Sequence, residues 1–457
     1  MLTVQLSLYD TKSRQIRAVH ETNNVVTMYC CGPTVYRDAH VGNMRTFLLS
    51  DLIRRTLQML GYQVAIIQNI TDVGHMSEDF EGEDKLLAQS KTEQIDPFSV
   101  ARKYEERFHA DLAAMNILPA DRYPKASECI PLMLELIAQL ISRGKAYIGS
   151  DGSVYFDASS FPEYGQLSGN RLDSLKPGHR YEYTDEGGKR FHADWALWKA
   201  AGHRTEMIWD SPWGPGFPGW HIECSAMSLH LLNSHVDVHV GGIDLRFPHH
   251  ENERAQSNAV TGTETVDLWV HGEHLLFQGR KMSKSSGNVV LIKDIVDRGF
   301  DPLALRLVFL ENRYRSQMDL TWDTISAANE TLRRWRSLVN QSPDVRPMPN
   351  KEISHALCED LDTPKAVQII RTIAKNPDLS DEIKAGYFLF ADQVFGLDLQ
   401  RKEVSRELPA ELGELLVARA AARANKDWKE SDRLRGVLES EGLIIQDSAT
   451  DQEWQWR

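Results

Sequence analysis

The groups in this chain best suited to chemistry are thiols, imidazoles and carboxylates whose spacing suits a metal ion. In Phe247-Pro248-His249-His250-Glu251-Asn252-Glu253, His249 and Glu253 stand four residues apart. On a helix that spacing puts both on one face, a turn apart, and both are zinc-ligand types. A lone His-x-x-x-Glu suits helix packing equally well. Two cysteines enlarge the set: Cys224, in Gly219-Trp220-His221-Ile222-Glu223-Cys224, and Cys31, which opens Cys31-Gly32-Pro33-Thr34-Val35-Tyr36. Four ligands from three distant stretches make a site only if the fold assembles them.

Two further stretches suit phosphate. His40-Val41-Gly42-Asn43 falls between an expected strand and an expected helix. A helix N-terminus favours anions because its free N–H groups and dipole point outward. Gly42 would let a ligand approach the backbone, and His40 could donate to a phosphate oxygen. Alone, the stretch is also an ordinary polar turn. Arg280-Lys281-Met282-Ser283-Lys284-Ser285, followed by Ser286-Gly287-Asn288, is a basic loop able to close on a polyphosphate with its lysines as cations. Alone, such a loop is commonly solvated surface. No Gly-x-Gly-x-x-Gly and no P-loop lysine motif occurs, so neither a dehydrogenase nor a P-loop enzyme is supported.

These groups need elements to hold them. Residues 25–31 and 62–70 are short apolar, β-branched runs that predict strands, and residues 46–57 between them predict an amphipathic helix. Strand, helix, strand is the unit of a parallel α/β sheet, whose ligands sit at the strand ends. Residues 236–242 predict another strand, ending in two glycines just before the His249 stretch, so Cys31 and His249 can meet at one sheet edge. The charged stretch 71–96, with Glu81, Glu83, Asp84 and Lys85, reads as an exposed connection. Helices are expected at 97–115 and 126–143. Residues 144–190 read as an inserted subdomain, with a strand at 153–156. Trp195, Trp198, Trp209, Trp213 and Trp220 crowd together and read as packing. From about 320 the pattern is helical, with helices at 321–340 and 352–373 separated by Pro343, Pro347 and Pro349. A break near 401–410 precedes a helix pair and the tail Trp454-Gln455-Trp456-Arg457, whose rings suit either base stacking or packing on their own domain.

With 457 residues the chain has room for two to four domains. No apolar run approaches the ~20 residues of a membrane span, and Met1-Leu2-Thr3-Val4-Gln5 carries no export pattern. Cys30, Cys31, Cys129, Cys224 and Cys358 are few and odd in number, which argues for free thiols and a cytoplasmic protein. A net charge of −13 argues against bulk nucleic-acid binding and leaves room for a local basic face, for which Arg313, Arg315, Arg333, Arg334 and Arg336 are the candidates.

In combination, these motifs resemble the cysteinyl-tRNA synthetases, class I aminoacyl-tRNA synthetases, over essentially the whole length. The family's two class I motifs look like His40-Val41-Gly42-Asn43 and Lys281-Met282-Ser283-Lys284-Ser285. The stretches around Cys224 and His249, Asp362-Thr363-Pro364 and the tail from Asp447 to Trp454 also match. The resemblance implies an α/β fold: a Rossmann-like catalytic domain (1–129 and 218–264), an inserted connective subdomain (130–217) and a lysine-loop region (265–320). A helical bundle that binds tRNA (321–405) and a small anticodon-binding domain (406–457) follow. It implies activation of L-cysteine by ATP, transfer to cysteine tRNA, and a monomer in the cytoplasm with no membrane partner. It further implies Zn2+ on Cys31, Cys224, His249 and Glu253, and Mg2+ with ATP. His40, Asn43, Lys281 and Lys284 would be catalytic, with His40, Asn43 and Lys284 on ATP and Thr71, Trp220 and His239 lining the cysteine pocket.

The chain departs from the family pattern in three places. Gly74-His75-Met76 stands where two acids and a lysine are usual, Val240-Gly241-Gly242 replaces a three-glycine run, and Asp451-Gln452 replaces Gly-Thr. These put the 74–85 loop, the adenylate ribose contact and the anticodon contacts in question. A related ligase that joins cysteine to an amino sugar lacks both the fourth ligand Glu and the terminal domain. A non-catalytic paralogue would be expected to lose the lysine loop or the ligands. Glu253, residues 411–457 and the intact motifs favour the synthetase.

Overall fold

The computed structural model describes residues 5–21, 24–74, 84–172, 175, 188–282, 287–402, 408–447 and 452–456, with the backbone alone for Gln446, Glu453, Gln455 and Trp456. The chain forms two compact units, Met1–Gln400 and Arg401–Arg457.

The first unit opens with an antiparallel hairpin, β1 (Ser7–Asp10) and β2 (Gln15–Ala18). Next come β3 (Val25–Cys30), α1 (Val41–Met59) and β4 (Gln63–Gln68), the expected strand–helix–strand unit. Then follow α2 (Lys85–Glu93), α3 (Pro97–Ala114) and α4 (Ile130–Ser142). An antiparallel sheet in the order β5 (Ala146–Ile148), β6 (Val154–Phe156), β7 (Trp195–Ala200) and β8 (Gly216–Pro218) leads to α5 (Trp220–Leu231). The chain returns through β9 (Val236–Gly242), α6 (Glu251–Thr261) and β10 (Val266–Gly272).

The central sheet has the order β10-β9-β3-β4 and is wholly parallel, so its strands end on one edge. Every residue of β9 is buried, as expected of a strand covered on both faces. The fold is therefore α/β, and a helical region follows it. β11 (Leu275–Phe277) and β12 (Arg280–Lys281) precede α7 (Ile292–Asp297), α8 (Pro302–Leu310) and β13 (Met318–Leu320). The three strands form a small sheet in the order β12-β11-β13. Then come α9 (Trp322–Asn340), α10 (Lys351–Cys358), α11 (Thr363–Lys375) and α12 (Asp381–Phe395). Among the described residues no helix is long and apolar enough to cross a membrane.

Three expectations need correction. The stretch 71–96 is not simply an exposed connection. Residues 71–74 are buried, and buried Asp84 caps α2 by accepting from the Leu86 and Leu87 N–H groups while pairing with Arg204. Residues 75–83, which include the departure at His75-Met76, lie outside the described residues. The single helix expected at 352–373 is two, because Asp360 and Leu361 take φ of 53° and 50° and Asp362 caps a new start. The arginines from 313 to 336 do not form one free cationic face. Arg313 pairs with Asp362, Arg315 with Asp360, and buried Arg336 with Asp301.

In the second unit, α13 (Ala410–Ala424), α14 (Trp428–Ser440) and the hairpin β14 (Leu443–Asp447) and β15 (Gln452–Trp456) enclose a core of Leu412, Leu416, Leu438, Leu443 and Ile445.

Candidate active site

Cys31 follows β3 directly, and its N–H donates to the Val240 carbonyl of β9 at 3.1 Å. Cys224 lies on α5, His249 on the wide turn Arg246–His250 before α6, and Glu253 in the first turn of α6. All four side chains are buried, and one ligand atom from each lies within 4.8 Å of the others. His249 Nε2 is 2.9 Å from Glu253 Oε1, so the four-residue spacing does bring the pair together. Cys31 Sγ is 3.7 Å from the same oxygen. Glu253 Oε2 is buried with no hydrogen-bond partner. Burial resists charging of His249, but Glu253 and Cys224 outweigh it and raise its pKa to about 10. The hydrogen bond from Cys31 is the largest influence holding the Cys224 thiol below its ordinary value.

A second set, Cys31, His239, His250 and Glu253, satisfies the same distance. His239 Nε2 and His250 Nε2 are 3.5 Å and 3.3 Å from Cys31 Sγ. His239 is thus beside the ligand cluster, and burial lowers its pKa to about 4. His250 continues outward: its Nδ1 meets His271 Nε2 at 2.8 Å, and His271 Nδ1 meets Thr11 Oγ1 at 2.8 Å. His221 Nδ1 meets His249 Nδ1 at 2.9 Å. Sequence reasoning missed His221 and His271 altogether. His221, three residues before Cys224, carried a signal in that one-turn spacing, whereas nothing in the sequence joined His271 to the site. Cys30 is not part of the cluster. Its thiol packs in the core on the other side of β3, and burial pushes its pKa to about 12.

Of the expected pocket residues, His239 and Trp220 touch the cluster, and Thr71 meets Glu223, the residue before Cys224. Thr71 Oγ1 donates to Glu223 Oε2 at 3.0 Å and accepts from Asn69 Nδ2 at 3.1 Å, while Asn69 Oδ1 accepts from the Gly32 N–H at 2.8 Å. Trp220, 37% exposed, stacks on His249 with ring centres 4.3 Å apart. It stands at the start of α5 because Gly219 lies tight on β7: a β-carbon there would fall 2.0 Å from the Ala196 carbonyl oxygen.

His40 caps α1. Its Nδ1 accepts from the Asn43 N–H at 3.2 Å, and Asn43 Oδ1 accepts from the His40 N–H at 3.1 Å. Burial and then Arg37 lower the His40 pKa, against the opposing charge of Asp244. The neutral ring that results carries its proton on Nε2 and can donate from there. Lys281, on β12, is exposed, and Met282 beside it reaches back to α1: a β-carbon on Gly42 would lie 3.0 Å from Met282 Cε. Lys284 lies outside the described residues.

In the second unit, buried Arg419 grips Asp447 with two bonds of 2.9 Å, and Arg423 and Arg435 join the same carboxylate. Trp428 and Trp454 are 59% and 39% exposed. Asp451 and Arg457 lie outside the described residues.

Residues 17–330 match the family model for the tRNA synthetases class I (C) catalytic domain, and residues 405–457 match the cysteinyl-tRNA ligase anticodon binding domain. The chain is 40% identical to the cysteine–tRNA ligase of Thermus thermophilus, across 98% of this chain and 99% of that one. It is 41% identical to cysteine–tRNA ligase 1 of Burkholderia lata, across 98% and 96%. The fold is similar to that of a Mycobacterium tuberculosis methionyl-tRNA synthetase in complex with methionyl-adenylate (TM-score 0.53, 13% identity, 82% of this chain and 90% of that one). It is also similar to a leucyl-tRNA synthetase of Agrobacterium radiobacter in a ternary complex (TM-score 0.58, 10% identity, 81% and 83%). With a catalytic-domain match over most of its length and full-length relatives at about two residues in five, this chain belongs to the cysteine–tRNA ligases, class I aminoacyl-tRNA synthetases.

Proposed function

We propose that the enzyme activates L-cysteine with ATP and transfers it to the 3′ end of cysteine tRNA, with Zn2+ held by Cys31, Cys224, His249 and Glu253 choosing the amino acid. The observation that carries this reading is the meeting of four buried ligand atoms from three distant stretches within 4.8 Å, with Glu253 Oε2 left unbonded. Two thiols, an imidazole and a carboxylate suit zinc. This set is favoured over the one through His239 and His250 because it supplies two sulfurs to the other's one. When bound, the metal would hold the substrate sulfur as thiolate, an interaction that the hydroxyl of serine cannot match.

The need for such a device is quantitative. A pocket that reads shape and apolarity separates close analogues only ~10–200-fold, whereas translation needs about 10⁴, or about 5.5 kcal/mol. Trp220, Thr71 and His239 would line the small pocket. His239, kept neutral by burial, adds no charge beside the ligands.

In the first step a carboxylate oxygen of cysteine attacks the α-phosphorus of ATP and pyrophosphate leaves. The His40 Nε2–H, the Asn43 side chain, Lys281 and Lys284 would meet the charge that builds on the phosphates, with Mg2+ accompanying ATP. In the second step a ribose hydroxyl at the tRNA 3′ end attacks the carbonyl carbon and AMP leaves. The anticodon-domain match over 405–457 favours tRNA over an amino sugar as the acceptor.

ATP–pyrophosphate exchange with each amino acid, followed by charging of total tRNA, tests the reading. Cysteine alone should support exchange, with serine about 10⁴-fold slower, and one tRNA family should be charged. Serine exchange near the cysteine rate would sink the zinc selection. Exchange without charging would favour the amino-sugar ligase. Lys284→Ala should slow exchange far more than it weakens cysteine binding.

A further inference from the structure

Arg45 lies on α1, in the turn after Asn43, and is buried. Its Nη1 donates to the carbonyls of Glu273 (2.9 Å) and His274 (3.1 Å), and its Nη2 to those of Arg313 (2.9 Å) and Ser316 (2.7 Å). The two terminal nitrogens carry four N–H groups, so all four are used, and every acceptor is a neutral main-chain carbonyl. Burying a charge in this way is expensive unless its hydrogen bonds are complete. An aliphatic side chain would fill the space without that cost, so the bonds themselves are what the position requires.

The four carbonyls belong to two connectors. Glu273 and His274 lead into β11, and Arg313 to Ser316 lead towards β13. The connectors also hold each other, through the Glu273 N–H to the Tyr314 carbonyl at 2.8 Å. β11 pairs with β13 on one side and with β12, which carries Lys281, on the other. One planar guanidinium therefore joins the helix that presents His40 and Asn43 to the connectors that lead into β11, on which β12 and Lys281 pair, and towards β13, which pairs with β11. At the other end of the lysine loop the Val41 N–H donates to the Val290 carbonyl at 2.9 Å, so α1 holds this region at two points.

We propose that Arg45 is a positioning residue for adenylation, setting the register of the β12-β11-β13 sheet on α1 and hence the placement of Lys281 relative to His40 across a bound triphosphate. The proposal rests on the reading of His40 and Lys281 as phosphate-binding groups. A lysine cannot replace the fork, because one ammonium with three donors does not span four carbonyls on two connectors.

The test uses full-length, zinc-loaded enzyme with Arg45→Ala and Arg45→Lys, each checked for its unfolding midpoint. Exchange kcat should fall about 100-fold in Arg45→Ala, with the KM for cysteine within about threefold of wild type, because misplacement by an ångström costs alignment rather than amino-acid binding. Arg45→Lys should fold and still be slow, and methylguanidinium should restore part of the rate to Arg45→Ala. Lys281→Ala should cost much less in the Arg45→Ala background than in wild type, since the two share one path. A folded Arg45 variant with wild-type kcat, or one whose loss lies in the KM for cysteine, overturns the proposal. So does failure of both variants to fold, which would make Arg45 a requirement of the fold. If Lys281→Ala is slow while Arg45→Lys is fast, only the positioning role falls. If Lys281→Ala is wild type, the reading of Lys281 falls and the proposal with it.

Discussion

Cys30 and Cys31 are adjacent, yet they belong to different cores, because successive side chains at a strand end point to opposite faces. Replacing Cys31 with Ser should therefore abolish stoichiometric zinc, measured by metal analysis after desalting. Cys30→Ser should leave zinc at one per chain and cost about 1–3 kcal/mol of stability for a buried hydroxyl. The meeting of the two thiols with His249 and Glu253 was legible because residue type and spacing point to one shared cluster. His271 was not, since its role depends on a ring-to-ring path through His250 that no spacing records. That path has a pH signature. Burial lowers the His271 pKa to about 3, so the unfolded chain takes up its proton near 6.5 while the folded chain does not. The stabilisation is fully present above about pH 6.5 and is lost as pH falls from there towards 3, with a slope of about 1.4 kcal/mol per pH unit for this group. His271→Gln should flatten the slope of unfolding free energy between pH 6.5 and 5 by that amount in metal-free protein. An unchanged slope would show that His271 is charged in the fold.

At the scale of elements, the break between α10 and α11 shows where periodicity misleads. Ile353, Ala356 and Leu357 before it and Ala366, Val367 and Ile370 after it are all buried, so the apolar pattern runs on as if through one helix. The stop was nonetheless written in Asp362-Thr363-Pro364: an acid in the cap position, followed by a proline in the first turn where no N–H is needed. The Asp362 carboxylate accepts from the Lys365 N–H at 3.2 Å and also pairs with Arg313. Asp362→Ala should cost about 1–2 kcal/mol, read as a lower urea midpoint with the slope unchanged. Asp362→Asn should recover most of the capping part. α2 was missed for a different reason. Its only buried residue is Leu86, so there was little apolar face to detect, and it is held instead by the Asp84 cap.

For the whole molecule, the parallel sheet was legible in the strand–helix–strand unit, and so was the sheet edge at which the ligands would meet. The strand order was not, because nothing local says that β9 will lie beside β3. The second unit has its own small core and its own ion cluster at Asp447, so it can be removed as a piece. A chain ending at Lys402 should keep cysteine-dependent exchange. Its charging of cysteine tRNA should fall at least about 100-fold, the scale on which a second linked binding module contributes. Loss of exchange in a folded truncation would show that adenylation depends on the terminal unit.

The strand order also sets a timetable for synthesis. β3 is complete once Cys30 is made, but its partner on one side, β9, begins roughly two hundred residues later. At ~5–20 residues per second the ribosome takes about ten to forty seconds to cover that distance. Through that interval β3 has β4 on one side and an open, apolar edge on the other, the template for mispairing between chains. Cys31 waits beside that edge as a free thiol. The nascent chain therefore has its longest exposure to aggregation and oxidation while the antiparallel β5–β8 sheet is being made. Ribosome-associated chaperones should crosslink most strongly to chains stalled before residue 236, and a stall placed far enough beyond residue 272 for β9 and β10 to have left the ribosome should release them.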